Sequence, residues 1–376
     1  MKIAVFASNY PPHPGGLERV VHHVAAGLAE RHELVVVTTA WAGLEGPARE
    51  DNLLVIRLPT VHASEPWGVP YPVPYGPGIR AALRAAGGAD VYHAHGALYA
   101  TSVLAASLAR RSGRPLILTE HVGFVRYGSA LLNRIEKVAW ASVGRYVLQR
   151  TTTVAVYNAR VQQWFEAEHP GSSLRFIGNG VDSQRFRPRT ASDRSELRAR
   201  LGLPLNGTLA LFVGRHAEKK NLDVVLAVPR TDHSLVVCGA PRGLREDGVT
   251  DLGVVPYETM PDVFAAVDLM VHASTGEGFP LAIQEAMASG LPLVVLWDKG
   301  YAQGLDRSTV LAVDSLAGLP AAMLALVADE GLRRELGEAG RRWAELHWGW
   351  DSTVSGYERL MAEAAGRAHV AAGEGA

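Results

Sequence analysis

The sequence predicts an α/β protein built from two doubly wound domains, and three observations carry that expectation. The chain has 376 residues, too many for one ordinary hydrophobic core. It opens on a short apolar run, Lys2 to Ala7, followed by a glycine-containing turn, an amphipathic segment and a second apolar run from Leu34 to Thr38. This strand–loop–helix–strand order starts a doubly wound sheet. A second strand-and-loop opening begins at Thr208, beyond a charged stretch.

Bulk properties narrow the function classes. Apolar residues make up 48% of the chain and charged residues 20%, a globular composition with ample core. A net charge of −1 gives no overall pull toward nucleic acid. Residues 1–180 hold 17 Lys/Arg against 12 Asp/Glu, and residues 181–376 hold 20 against 26. The mildly basic first half suits an anionic surface or acceptor, and equally ordinary surface chemistry. The single cysteine, Cys238, lies in an apolar run and excludes an intramolecular disulfide. Met1-Lys2 leads into a strand pattern without signal-peptide character, and no apolar run approaches the ~20 residues of a membrane span. A cytoplasmic protein is the expectation.

Lys2 to Ala7 reads as a strand buried on both faces. Gly15 and Gly16 open the following helix; they suit a tight turn, or close backbone approach to a phosphate or sugar. No G-x-G-x-x-G is present, so a dinucleotide fingerprint is absent. Residues 59–78, rich in Pro and aromatics including Trp67, Tyr71 and Tyr75, are expected to form an ordered loop at the domain's rim. Its aromatics suit stacking on a sugar or apolar acceptor as well as packing within the loop. Asp90 to Gly96 and Pro115 to His121 are strand ends carrying polar residues, the place where α/β proteins bind ligands. His93 and His95 share one strand face, and neither has partners at metal-ligand spacing. Residues 130–150 form an amphipathic helical pattern with Arg134, Lys137, Arg145 and Arg150, whose basic face suits solvent or a membrane surface.

Asn179-Gly180 is a turn signal, and the charged stretch from Arg187 to Arg200 is expected to separate the domains. The strand Thr208 to Val213 ends in Gly214-Arg215, with Lys220 before the next helix. Arg supplies planar bidentate donors and Lys a mobile point charge, a pairing that suits phosphate, although a loop of surface charges has the same composition. After further strands near Leu235, Leu252 and Leu269 comes the stretch from Gly276 to Pro292. It reads as a loop carrying Glu277, a helix carrying Glu285 and a turn into the strand Leu293 to Leu296. Pro280 suits the first helical position and Gly290 the left-handed helix end. Glu285 then lies on the order of 8 Å along the axis. Both carboxylates can flank something bound at the helix start, where free N–H groups favour an anion. The glutamate spacing alone is uninformative; the ordered combination of motifs is not. Residues 317–346 give two helical patterns, and the tail from Ala371 is expected to fray.

Gly-Glu-Gly-Phe-Pro, the helix and Ala-Ser-Gly-Leu-Pro together resemble the Glu-x7-Glu element of the family-4 retaining glycosyltransferases. Pro12-x-x-Gly15-Gly16, His121, Asn179-Gly180-Val181-Asp182 and Gly214-Arg215 with Lys220 match the same family in the same order. The resemblance implies the GT-B architecture: two Rossmann-like domains with a cleft between them and a C-terminal crossover helix. Residues 1–186, joined by the helix 352–376, would be the acceptor domain, and residues 187–351 the nucleotide-sugar donor domain. The implied reaction is metal-independent, retaining transfer of a hexosyl unit from a UDP- or GDP-linked sugar. The acceptor is a hydroxyl on a glycan, glycolipid or small-molecule glycoside, and no cofactor is implied.

By the same resemblance Arg215 and Lys220 clamp the diphosphate, aided by N–H groups at Gly278, Phe279 and Leu281 and by Gly15 and Gly16. Glu277 holds the donor sugar, Glu285 the ribose, and His121 reaches the transferred sugar. His95, Trp67 and Tyr71 are candidate cleft residues. The chain has no D-x-D pair, which suits a cationic clamp in place of a metal. Trp297 to Tyr301 stands where the family commonly has a Gly-rich loop ending in Pro-Glu, and Gly239-Ala240 replaces a frequent Gly-x-Gly. The alternatives are a non-catalytic nucleotide-sugar-binding subunit and a nucleotide-sugar epimerase.

Overall fold

Short apolar runs alternating with amphipathic segments become a mainly parallel sheet in each half of the chain. The computed structural model describes residues 1–13, 15–61, 71–125, 128–239, 243–276 and 279–373. The chain divides into two compact units, Met1–Gly178 with Trp350–Ala376, and Asn179–Gly349.

The strands of the first unit are β1 (Lys2–Phe6), β2 (Glu33–Thr39), β3 (Gly46–Glu50), β4 (Leu53–Leu58), β5 (Thr60–Val61), β6 (Val73–Pro74), β7 (Val91–His95), β8 (Leu116–Thr119), β9 (Thr151–Val156) and β10 (Leu174–Phe176). Among the described residues the main sheet runs β10-β9-β8-β7-β1-β2-β4-β3. All neighbours are parallel except β3, which pairs antiparallel with β4. The β3–β4 hairpin carries no strand signal in the sequence at β3. Gly-Pro-Ala-Arg-Glu is polar and largely exposed, and its proline is tolerated because the strand lies at the sheet edge. β5 and β6 pair across the Pro-rich segment, of which residues 62–70 lie outside the described residues.

The helices of this unit are α1 (Gly16–Ala29), α2 (Gly78–Ala86), α3 (Ala100–Ser112), α4 (Ala130–Ala139), α5 (Arg145–Leu148) and α6 (Ala159–Glu168). The amphipathic pattern of residues 130–150 is one helical run interrupted by a π-turn, Trp140–Gly144. Gly144 is needed there: a Cβ would stand 2.6 Å from the Trp140 ring.

In the second unit the strands are β11 (Thr208–Val213), β12 (His233–Cys238), β13 (Val249–Gly253), β14 (Leu269–His272), β15 (Leu293–Leu296) and β16 (Leu311–Val313). They run β13-β12-β11-β14-β15-β16, all parallel. The helices are α7 (Ala191–Leu201), α8 (Leu222–Leu226), α9 (Met260–Ala266), α10 (Leu281–Ala288), α11 (Leu319–Ala328) and α12 (Glu330–His347). The charged stretch expected to be a separator is α7 instead. Thr190 and Asp193 form a reciprocal capping box, and Arg194 and Arg198 both pair with Asp268, so its charges hold the helix rather than extend a linker.

The last helix, α13 (Trp350–Gly373), belongs to the first unit. It packs on α1 at Gly27, where a Cβ would meet the Val354 side chain at 2.6 Å. Glu358 takes Arg31 at 3.0 Å and His32 at 2.9 Å. Thr353 Oγ1 donates to the Gly178 carbonyl at 2.8 Å, so the returning chain is fastened where the unit was left.

Candidate active site

Each of the two large sheets reverses its strand order at one place, and several of the sequence-predicted residues stand on the loops that leave the strands there. In the first unit the reversal lies between β1 and β7, with β2 on one side and β8 on the other. Loops leaving the C-terminal ends of strands diverge at such a point and leave a crevice for ligand.

After β1, Gly15 and Gly16 begin α1, the end expected to face a donor phosphate. Glu18, in the first turn of α1, folds its carboxylate back over Gly15, filling the place a Cβ would take. His13 Nδ1 lies 2.8 Å from that carboxylate, which is buried. The positive helix end thus already faces an anion from its own first turn. After β8, Glu120 is the fastener. Its buried carboxylate accepts N–H groups from Ala97 (2.9 Å), His121 (3.1 Å), Val122 (3.4 Å) and Gly123 (3.4 Å), tying the β7 and β8 loops together. Burial raises its pKa against those four bonds.

His121 is buried, with Nε2 at 3.0 Å from His95 Nδ1 and the two rings stacked. His93 packs beside His95 with ring centroids 4.2 Å apart, so one strand face carries both, as their spacing requires. Tyr71 is half-buried; its hydroxyl donates to Glu136 at 3.4 Å and its ring packs on Tyr99. Trp67 lies outside the described residues. Among the described residues no three His, Cys, Asp or Glu side chains are placed to hold a metal ion.

In the second unit the order reverses between β11 and β14. Arg215, just past β11, is exposed, and among the described residues it makes no hydrogen bond or ion pair. Lys220 ends a short 3-10 turn and lays its stem along Gly214, whose Cβ would be 3.2 Å from the lysine Cδ. The loop closes through Asn221, which adopts the left-handed conformation and donates from Nδ2 to the Ala273 carbonyl at 2.7 Å. Thr275 N–H donates to the Lys219 carbonyl at 2.8 Å. These two bonds lace the loop after β11 to the loop after β14, so the cationic loop and the approach to α10 share one end of the sheet.

Glu277 and Gly278 lie outside the described residues. Phe279 is a buried anchor, edge-on to Tyr301 and Trp348. Pro280 is the N-cap of α10, not its first helical residue, because its ψ of 130° is still extended. The N–H of Leu281, at the helix start, therefore has no acceptor within α10. Glu285, one turn on, is 5% exposed. Within Trp297 to Tyr301 the residues Lys299–Tyr301 form a 3-10 turn capped by Asp298, whose Oδ1 accepts Gly300 N–H at 2.8 Å, and Tyr301 is fully buried.

Burial leaves the histidine layer uncharged: His93 and His121 are lowered to about 3 and His95 falls well below its ordinary value. The unfolded chain binds protons near 6.5 that the folded one refuses, so this contribution is full above 6.5 and lost as pH falls from 6.5 toward 3. Each histidine should cost on the order of 1 kcal/mol per pH unit in that window. Glu120, whose pKa is raised, acts oppositely above 4.5 and softens the slope. The expected result is a lower thermal midpoint at about pH 5.5 than at about pH 7.5; equal midpoints would contradict it.

The model of Glycosyltransferase Family 4 matches residues 14–185, and that of Glycosyl transferases group 1 matches residues 207–329. A D-inositol 3-phosphate glycosyltransferase of Salinispora arenicola is 32% identical over 75% of this chain and 70% of its own. The chain belongs to glycosyltransferase family 4. A GDP-mannose-dependent alpha-mannosyltransferase of Mycolicibacterium smegmatis is 29% identical to this transferase over 96% of the chain and 98% of the relative. Among solved structures, sucrose-phosphate synthase from Thermosynechococcus elongatus has a TM-score of 0.78 at 20% identity, covering 96% of this chain and 98% of that one. Anabaena HepE, solved in complex with UDP, has a TM-score of 0.74 at 18% identity, with 96% and 100% covered. These two likenesses concern the fold, which is GT-B with two Rossmann-like units. The family-4 transferase is a nucleotide-sugar glycosyltransferase. No helix among its described residues is long and apolar enough to cross a membrane.

Sequence reasoning about this transferase passed over Glu18, Glu120 and Asn221. Glu18 stood in the first turn after Gly15-Gly16, where a carboxylate facing the helix end could have been suspected. Nothing in the sequence marks Glu120 as a fastener, because its four partners are backbone groups.

Proposed function

We propose that this transferase moves a hexosyl unit from a UDP- or GDP-linked donor to a hydroxyl acceptor, with retention at the anomeric carbon and without a metal ion. Residues 179–349 hold the donor, and the first unit receives the acceptor. The observation that supports this most is the lacing of Lys219 to Thr275 and of Asn221 to Ala273, which gathers Arg215, Lys220 and the start of α10 at one sheet end.

In the reaction the bond from the anomeric carbon to the diphosphate oxygen breaks. A bond to the acceptor oxygen forms, and the acceptor hydroxyl's proton passes to the leaving diphosphate. Negative charge grows on the leaving diphosphate, which Arg215, Lys220 and the N–H groups at Gly278, Phe279 and Leu281 would stabilise. Glu277 and Glu285 bind hydroxyls of the sugar and ribose, His121 faces the transferred sugar, and Gly15 and Gly16 border the phosphate. The relatives' names make GDP-mannose and inositol-type acceptors the first substrates to try. With purified protein, nucleotide release should depend on acceptor, persist in chelator and give a product of the donor's anomeric configuration. Release lost in chelator, or an inverted product, overturns the reading. Donor converted without acceptor makes the protein an epimerase; no released nucleotide makes it a binder.

The exposed face of α4 supports an acceptor presented at a membrane. Leu131, Ile135 and Val138 are 68%, 55% and 61% exposed and fall on one helical stripe. Arg134, Lys137 and Arg145 are exposed nearby, whereas Glu136, the sole acid between residues 129 and 150, is buried. An apolar stripe with cations and no exposed acid fits anionic lipid headgroups. The protein should sediment with phosphatidylglycerol vesicles and much less with phosphatidylcholine, and Leu131→Ser with Ile135→Ser should abolish it. Absence of sedimentation with anionic vesicles removes this partner.

A further inference from the structure

The histidine layer of the first unit is wired more closely than a lone sugar-facing side chain needs. His95 Nδ1 and His121 Nε2 stand 3.0 Å apart, so one proton lies between two buried imidazoles. Burial keeps both rings neutral, so each owns a single N–H. Two arrangements are possible. If His121 donates from Nε2, His95 must carry its own hydrogen on Nε2, where that buried atom has no hydrogen-bond partner. If His95 donates from Nδ1, the atom left alone is a bare acceptor, the less costly orphan, since buried N–H groups are the ones folded proteins hardly ever strand. His121 then carries its hydrogen on Nδ1, which makes no hydrogen bond among the described residues but, unlike His95 Nε2, is not a fully buried atom, so its N–H is open to a ligand rather than stranded.

A second chain of bonds holds His95 in place. Thr119 gives its hydroxyl hydrogen to Tyr357 of α13 at 3.1 Å, so its oxygen must accept from His93 Nε2–H at 2.8 Å. His93, fixed in this way, packs against both Tyr357 and His95, with ring centroids 5.2 Å and 4.2 Å away. The returning helix thus braces the ring that sets the next one.

We infer that His95 is a positioning residue that fixes His121 as its Nδ1–H tautomer, so that His121 donates a hydrogen bond to an oxygen of the transferred sugar. The sugar contact rests on the function proposed above; the tautomer does not.

The test is a nitrogen–proton correlation spectrum of the full chain labelled with 15N-histidine, the His121 signals being assigned by their loss in His121→Gln. Wild type should show His121 protonated on Nδ1. His95→Phe should release it to a mixture containing the Nε2–H form and lower kcat/KM roughly three- to tenfold, the worth of one neutral hydrogen bond. His95→Gln, whose amide can still donate, should restore the Nδ1–H signature and most of the activity. Finding wild-type His121 protonated on Nε2 overturns the inference, whatever the activities. An Nδ1–H signature with turnover unaltered in His121→Phe, which cannot donate, overturns the sugar contact alone and leaves the tautomer assignment standing.

Discussion

Arg215→Ala should lower turnover by about a hundred- to a thousandfold, the usual loss when one donor to a developing negative charge is removed from a preorganised site. Unfolding temperature should stay where it is, because the guanidinium is exposed and, among the described residues, bonded to nothing. That separation is the informative part: a side chain contributing nothing visible to the fold stands at the reversal of strand order, past the end of β11. The loss should fall mainly on kcat, since charge on the leaving diphosphate is greater in the transition state than in the bound donor. Arg215→Lys should recover only part of it, because an ammonium supplies charge without the bidentate fork. Steady-state kinetics with the best donor, beside a melting curve, measures both quantities. Turnover within a few-fold of wild type would remove Arg215 from the clamp.

What could be read in the sequence follows from how local each determinant is. Strands buried on both faces announce themselves as apolar runs, so β1, β2, β11 and β15 were legible almost to the residue. The motifs at their ends were legible because Gly, Pro, Arg and Lys there act on neighbours in the chain. β3 was invisible, since a polar edge strand with a proline is decided by β4 rather than by its own residues. Arg187 to Arg200 looked like a separator because its charges were counted without their partner, Asp268, some seventy residues away. His121 was legible as a residue and not as an arrangement: the sequence carries no sign that His95 shares a proton with it or that Tyr357 braces the layer from the far end of the chain. Tyr71, read as a cleft aromatic, has its hydroxyl on Glu136 of α4, a contact across 65 positions.

Gly337→Ala should destabilise the protein by about 1–3 kcal/mol, the range for forcing extra atoms into a packed core, and should weaken donor binding with it. Gly337 lies in α12 where that helix crosses the end of α10, and a Cβ there would drive into the backbone carbonyl of Gly290. Gly290 cannot step aside freely, because it is left-handed, with φ of 71°, and its own Cα faces Pro188. One turn further along α12, Arg341 Nη1 donates to the carbonyls of Ser183 (3.0 Å), Phe186 (2.8 Å) and Ala288, fastening the segment after Asn179-Gly180-Val181-Asp182 to the end of α10. Lifting α12 strains those bonds as well. The other end of α10 begins at Leu281, one of the N–H groups proposed for the diphosphate, so the displacement should reach the donor through one eight-residue helix. Gly340→Ala is the matched control: its Cβ would meet only the flexible side chain of Met287, at 3.3 Å and beyond, and should cost much less. Melting temperature and the KM for donor should therefore move together in Gly337→Ala and hardly at all in Gly340→Ala. A Gly337→Ala protein as stable as wild type would mean that the two helices cross less tightly than their glycines require.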